Sequence, residues 1–184
     1  RNHPGNPVLS VQALGICDMK ESVFEEKVAR AVRDLENEVA ISANVASTIQ
    51  QIAALATRSD CEHLNIERVE RLIHAAMSRD ERFVHPRALQ NVLLARAQLA
   101  DQRGDYEAAI GALEQVMAID PMLDAALLIA YFHVESGNLQ AAIEHLSGLV
   151  DSTPVAFPES LVWKKRLGPL LENLQSLRDN PPEQ

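Results

Sequence analysis

The side chains able to hold a metal or pass a proton are few in this chain of 184 residues: two cysteines, Cys17 and Cys61, and six histidines, His3, His63, His74, His85, His133 and His145. Cys61-Glu62-His63 sets a thiol and an imidazole two residues apart, enough for two zinc ligands. Zinc takes four ligands, or three and a water, and the neighbouring sequence supplies no more. No two histidines stand at the i,i+4 spacing that aims a ligand pair from one helix face. No metal and no cofactor is expected. Nucleophilic catalysis finds no better footing. Ser, His and Asp all occur, but no Gly-x-Ser-x-Gly elbow presents a serine at a strand-to-helix turn. The seven glycines are scattered and form no loop that could cradle a phosphate. The paired carboxylates Glu25-Glu26 belong to a mixed charged stretch from Asp18 to Glu38, which reads as the solvated face of a surface helix or, more sharply, as an acidic docking surface. Taken together, these residues predict a chain that binds and does not catalyse.

The cysteines leave two readings open. Forty-three residues separate Cys17 from Cys61. In an oxidising compartment they could close a disulfide stabilising by roughly 3–4 kcal/mol through loop entropy; otherwise they are two unpaired thiols. So few cysteines do not fix the redox compartment.

Composition narrows the partners. The formal charge is −9 and the pI about 5.1, so a phosphate backbone would be repelled and nucleic acid is not an expected ligand. No run approaches 18 apolar residues, which predicts no membrane span within the chain, and no signal peptide is visible. The start at Arg1 in place of Met reads as a mature form or an excised piece of something longer. Apolar residues make up 47% and aromatics only 4%, with Ala and Leu abundant. Both lose little entropy in a helix, and the prolines and glycines fall mostly where helices should stop. The expected class is all-α.

An internal repeat organises these helices. Arg103-Gly104-Asp105-Tyr106-Glu107-Ala108-Ala109-Ile110 aligns with Ser136-Gly137-Asn138-Leu139-Gln140-Ala141-Ala142-Ile143 at an offset of 33 residues. The same offset relates Ala97 to Ala130, Leu113 to Leu146 and Pro121 to Pro154. Gly104 and Gly137 sit where a first helix should end in a left-handed residue. Asp105 and Asn138 can cap the second helix. Ala109 and Ala142 are small enough to let two helices approach, and Pro121 and Pro154 end the unit. These residues resemble the tetratricopeptide repeat, whose helix–turn–helix unit recurs about every 34 residues. The resemblance implies a short right-handed superhelix of antiparallel hairpins.

The predicted organisation is one domain. It comprises an N-terminal segment and helix (1–41), a degenerate hairpin (42–89), two regular repeats (90–155), a C-terminal capping helix (156–180) and a tail (181–184). Within the first part, 8–17 reads as a short strand or a short helix and favours the helix, because a lone strand would have no partner; Val23, Phe24, Val28, Ala31, Val32 and Leu35 form an apolar stripe. Ser42 and Asn65 are the expected caps of the two hairpin helices, with a polar loop from Thr57 to His63 between them. Pro169 should kink the capping helix.

The repeat resemblance also implies a binding groove, because the first helix of each unit lines the concave side. That places Asn91, Leu94, Gln98 and Asp101 from one repeat beside Asp124, Leu127, Tyr131 and Glu135 from the next. A strip of Leu, Tyr, amide and acid suits a peptide or protein segment, unless the capping helix or the N-terminal helices fold across it. A narrower likeness lies in Ile41-Ser42-Ala43-Asn44-Val45, Cys61 and Ile73-His74-Ala75-Ala76-Met77. Followed by the repeats, these resemble the soluble C-terminal region of bacterial O-antigen ligase and polymerase-type membrane proteins. That likeness implies a periplasmic domain attached to a membrane glycan-transfer enzyme whose catalytic spans are absent here; a cytoplasmic adaptor is the alternative. The predicted function is protein–protein interaction or scaffolding without catalysis. The competing reading is a domain that binds a glycan or lipid-linked substrate and contributes to an enzyme site. Sugar sites favour aromatic platforms, and Trp163 is the sole tryptophan.

Overall fold

Eight α-helices and no strand make up the described residues of the computed structural model, which are 7–37, 40–58, 66–78, 83–152 and 158–180; for 7–20, 58, 152 and 158–161 only the backbone is described. The chain divides into two units, Arg1–Gln102 and Arg103–Gln184.

In the first unit, α1 (Pro7–Asn37) is one continuous helix, joining the expected short helix over 8–17 to the apolar stripe beyond it. Pro7 stands at its first position, where the missing N–H costs nothing. Phe24, Val28, Ala31 and Leu35 recur at three- and four-residue spacing and are buried, while Val23 and Val32 lie at the edge of the stripe and stay exposed. Then come α2 (Ala43–Arg58), α3 (Ile66–Met77) and α4 (Pro86–Gln102). Ser42 Oγ accepts from the Val45 amide at 3.4 Å, a loose version of the expected cap. Asn65 and most of the Thr57–His63 loop, including Cys61, lie outside the described residues.

The two hairpin helices pack on each other and also on α4. The most extensive partner of α2 is α4, with α1 and α3 alongside. Ile49, Ile52, Val69, Leu72 and Val92 meet in one core. Each large aliphatic chain buried there stabilises by about 1.5–3 kcal/mol. The segments entering α2 and α4 also touch: Ile41 and Phe83 form a single parallel bridge, and the Val84 amide donates to the Ile41 carbonyl at 3.2 Å. Moreover, α4 starts a turn before the expected repeat boundary at residue 90. Pro86 supplies a preset first residue, and His85 Nδ1 accepts from the Arg87 amide at 3.2 Å, a side-chain cap that repeat arithmetic does not reveal.

In the second unit the 33-residue offset is met by the backbone itself. The second helices of the two repeats, α5 (Tyr106–Ile119) and α7 (Leu139–Ser152), start and stop 33 residues apart. Between them lies α6 (Leu123–Glu135), and α8 (Pro158–Asp179) closes the unit, running through Pro169 as one helix. Gly104 and Gly137 have φ of 70° and 79°, the left-handed region that a Cβ disfavours. At Gly137 the full Schellman pattern forms: the Asn138 amide donates to His133 O at 2.7 Å and the Gly137 amide to Val134 O at 2.9 Å. Asn138 then opens the next helix, its Oδ1 accepting from the Ala141 amide at 3.1 Å, as Asp105 Oδ1 does from the Ala108 amide at 3.1 Å. α5 ends where Asp120, preceding Pro121, is forced into extended backbone. Met122 has no side-chain cap to offer, and its amide donates instead to Met117 Sδ at 3.3 Å.

The hairpins close over small residues. Ala109 and Ala142 are 0% exposed. Ala142 shares a core with Ala130, Ile143, Leu146, Leu167 and Leu174, which ties α6, α7 and α8 together. Tyr106 stacks on Phe132 with ring centroids 5.7 Å apart, linking the start of α5 to the end of α6. Half-buried on α7, His145 has its Nε2 3.2 Å from the carbonyl of Ala126 on α6. Burial holds its pKa below the ordinary 6.5; the Ala126 carbonyl pulls it back up, His133 lowers it further and Glu114 raises it.

Two outcomes follow from this packing. Leucine at position 109 or 142 has no room, so Ala109→Leu and Ala142→Leu should each lose about 1–3 kcal/mol in urea unfolding, whereas Gly148→Ala, on an exposed helical surface with open space around a new Cβ, should gain about 0.5–1 kcal/mol. Unchanged midpoints for both leucine variants would mean that the helices are spaced differently. The second concerns acid. The fold favours neutral His145, so the stability this group contributes is present above its unfolded pKa of 6.5 and is lost as the pH falls below it. Between about pH 7.5 and pH 5.5, the parent should lose more stability than His145→Gln, which keeps an N–H for the Ala126 carbonyl. Equal losses would assign the acid sensitivity to another group.

Candidate functional site

Most of α6 is committed to the core. Ala125, Ala126, Ile129, Ala130 and Phe132 all face inward and are buried. A turn of 100° per residue leaves one line of the helix pointing away from them: Asp124, Leu128, Tyr131 and Glu135, spaced by four, three and four residues. Leu128 is 41% and Tyr131 50% exposed, and Val134, bordering this line, is 37% exposed. Two apolar anchors therefore sit side by side in solvent with a carboxylate one turn beyond each end. The Tyr131 ring is held from one side by Phe132, at a centroid distance of 5.5 Å and a tilt of 56°. Asp124 and Glu135 are exposed and make no ion pair with a described residue. The line can offer hydrophobic area and two carboxylate acceptors, which is recognition chemistry.

The eight residues expected to line a groove fall four on each unit. On α6, Asp124, Tyr131 and Glu135 are exposed as expected. Leu127 is half-buried and packs against the α6–α8 core, alongside Leu123 and Trp163. Leu128, one residue on, is the more exposed leucine, and periodicity alone did not single it out. On α4, Asn91, Leu94 and Gln98 are half-buried and Asp101 is exposed. Eight other positions of that helix are buried, including the polar Gln90. Gln98 Oε1 is shut off from solvent and accepts no hydrogen bond from the described residues, an arrangement that typically costs about 1–3 kcal/mol. The capping helix α8 packs on α7 and leaves Leu128 and Tyr131 open.

Other sequence candidates behave differently. Cys61 lies outside the described residues, as does the side chain of Cys17. His74 and His85 are exposed, and His133 and His145 stand 6.5 Å apart by ring centroid. Among the described residues no three His, Cys, Asp or Glu side chains converge. Glu25 on α1 pairs with Arg68 on α3, so part of the acidic stretch holds two helices together. A cleft of about 380 Å³ between α1 and α2 is lined by Glu26, Lys27, Arg30, Asn44 and Gln51 among others. Its polar groups satisfy one another: Lys27 Nζ donates to Gln51 Oε1 at 2.6 Å and Gln51 Nε2 to Ser47 Oγ at 3.3 Å. It is a solvated seam.

One signal was present in the sequence and was lost in the overall total. Residues 100–159 carry ten of the 26 acids and one of the 17 Lys and Arg, which leaves sixteen of each elsewhere. The whole net charge of −9 thus resides in about a third of the chain, and α6 lies in the middle of it.

No curated protein and no solved structure matches the chain, so the likeness to O-antigen ligase tails gains no support from relatives. The family model of the tetratricopeptide repeat matches residues 100–159, the stretch that holds both left-handed glycine turns, both small-residue contacts and the open line of α6.

Proposed function

We propose that this chain is a protein-interaction module of the helical-repeat kind, and that its partner docks on the open line of α6. The observation that carries this reading is the exposure of Leu128 and Tyr131 on a helix whose other faces are packed. Large apolar side chains cost free energy in water and recover it when a partner covers them. Tyrosine is also a residue that commonly dominates interface energies. Tetratricopeptide repeats generally mediate protein–protein contacts, and the match over 100–159 supports the same use here.

The glycan-binding alternative has less behind it. Trp163 is half-buried and packed against the α6–α8 core, so it serves as an anchor for the capping helix and offers a sugar ring only part of its surface. A finer setting, as the periplasmic accessory domain of a membrane glycan ligase or polymerase, rests on the short stretches Ile41–Val45 and Ile73–Met77. Among the described residues no helix is long and apolar enough to cross a membrane.

Selection of a displayed random-peptide library on the immobilised chain gives a ligand for the test. Tyr131→Ala should weaken that ligand by about 2 kcal/mol, roughly thirtyfold. Gln115→Ala, an exposed control on α5, should bind as the parent does, and circular dichroism should be the same for all three. Equal affinity for all three would move the docking site off α6.

A further inference from the structure

We propose that the segment captured by the α6 line is cationic, an amphipathic stretch of a partner protein with Lys or Arg one turn beyond each of two apolar anchors. This rests on the docking reading above and adds the chemistry of the partner.

The first observation is geometric. Asp124 and Glu135 close the line at its two ends with Leu128 and Tyr131 between them. Eleven steps of 1.5 Å from Asp124 to Glu135 make the line about 16 Å long. Each carboxylate is exposed and unpaired with any described residue. A ligand whose apolar groups cover Leu128 and Tyr131 must therefore bring its flanks beside two negative charges. An acidic flank there is repelled, a neutral one gains nothing, and a basic one is attracted.

The second observation is independent of the line. Asp105, Glu107, Glu114, Glu144 and Asp151 surround α6 in sequence and are all exposed, and between Arg103 and Lys164 there is no Lys or Arg. At physiological salt a charge is felt over about 8 Å. Acids spread over neighbouring helices therefore give the approach to α6 a single sign. Such a field speeds capture of an oppositely charged segment and excludes wrong partners. The same field disfavours nucleic acid and anionic lipid surfaces.

One stretch of the chain has the chemistry of the proposed ligand. Lys164-Lys165-Arg166 lies on α8 beside exposed Val162, and none of these cations pairs with a described residue. A second copy is thus the competing occupant, and the test separates the two.

Three fluorescein-labelled helical peptides serve as probes. Each has two leucines one turn apart and a charged or neutral residue one turn beyond each leucine: Lys in the first, Gln in the second, Glu in the third. Anisotropy titration of the full chain should show binding of the Lys peptide, about tenfold weaker binding of the Gln peptide and none of the Glu peptide. Raising the salt from about 50 to 300 mM should weaken the Lys peptide several-fold. The double variant Asp124→Asn, Glu135→Gln should weaken the Lys peptide at least about fivefold. The double variant Glu107→Gln, Glu144→Gln, equal in net charge, should change it less than about twofold.

Equal binding of all three peptides, with loss in Tyr131→Ala, would overturn the cationic preference and leave the docking face standing. Binding of the Lys peptide unaffected by Tyr131→Ala would overturn the docking face as well. Equal weakening by the two acid-neutralised doubles would replace the line by a diffuse field, and binding of none of the peptides would overturn the proposal outright. Sedimentation of the chain alone should show a monomer at low salt. Self-association abolished by Lys164→Glu, Lys165→Glu and Arg166→Glu together would make a second copy the occupant and overturn the proposal.

Discussion

The second unit turns on a reversal of chain direction made in three residues. Ending a helix leaves carbonyls without donors, and beginning the next leaves amides without acceptors. At Ser136-Gly137-Asn138 both needs are met at once. Gly137, at a φ of 79°, lets the Asn138 amide reach back to His133 O, and the Asn138 side chain then reaches forward to the Ala141 amide. A Cβ at position 137 would put the backbone in a region that costs roughly 1–2 kcal/mol. The contact between α6 and α7 depends on this junction. It starts α7 in the register that brings Ala142 into the seam with Ala130, and that in turn lets Leu146 share a core with Leu167 and Leu174 on α8.

Small side chains at the seams have a second effect. Where alanines bring helices close together, few large residues are needed inside, and the chain is correspondingly poor in aromatics. Phe132 is an exception. It receives Tyr106 on one side and Tyr131 on another. One buried ring thus fastens the start of α5 and also steadies the aromatic ring that stands in solvent on α6. In the docking proposed above, this ring contact limits the rotamer freedom that Tyr131 loses on capture.

Charge and packing meet at His145. Its ring spans the α6–α7 seam to a carbonyl, in an environment where burial favours the neutral form. The surrounding repeat segment is strongly acidic, so most of the surface gains no cation until a partner or a proton supplies one. The unit thus disfavours the charged form of His145 at a seam while presenting unpaired carboxylates outside. Positions facing the seam are constrained by size, and those facing outward are free to be acidic.

Much of this was legible in the sequence because it depends on neighbours a few residues apart. The left-handed glycines, the Asp and Asn caps, the seam alanines and the 33-residue offset are local matters of backbone sterics and i→i+4 bonding, and the bounds of α5 and α7 follow them. The strong asymmetry of charge was legible too, though only when the acids were counted by segment. What the tertiary structure alone decided concerns which sides of a helix are covered. Periodicity assigns Leu127 and Leu128 to adjacent positions on α6 and cannot choose between them. The packing of α6, α7 and α8 draws Leu127 toward the core and leaves Leu128 beside Tyr131 in solvent. In the same way, nothing local says that α2 packs chiefly on α4 or that Ile41 meets Phe83 across more than forty residues of chain. Those contacts are chosen by total buried area among helices distant in sequence, a quantity that no single stretch of residues contains.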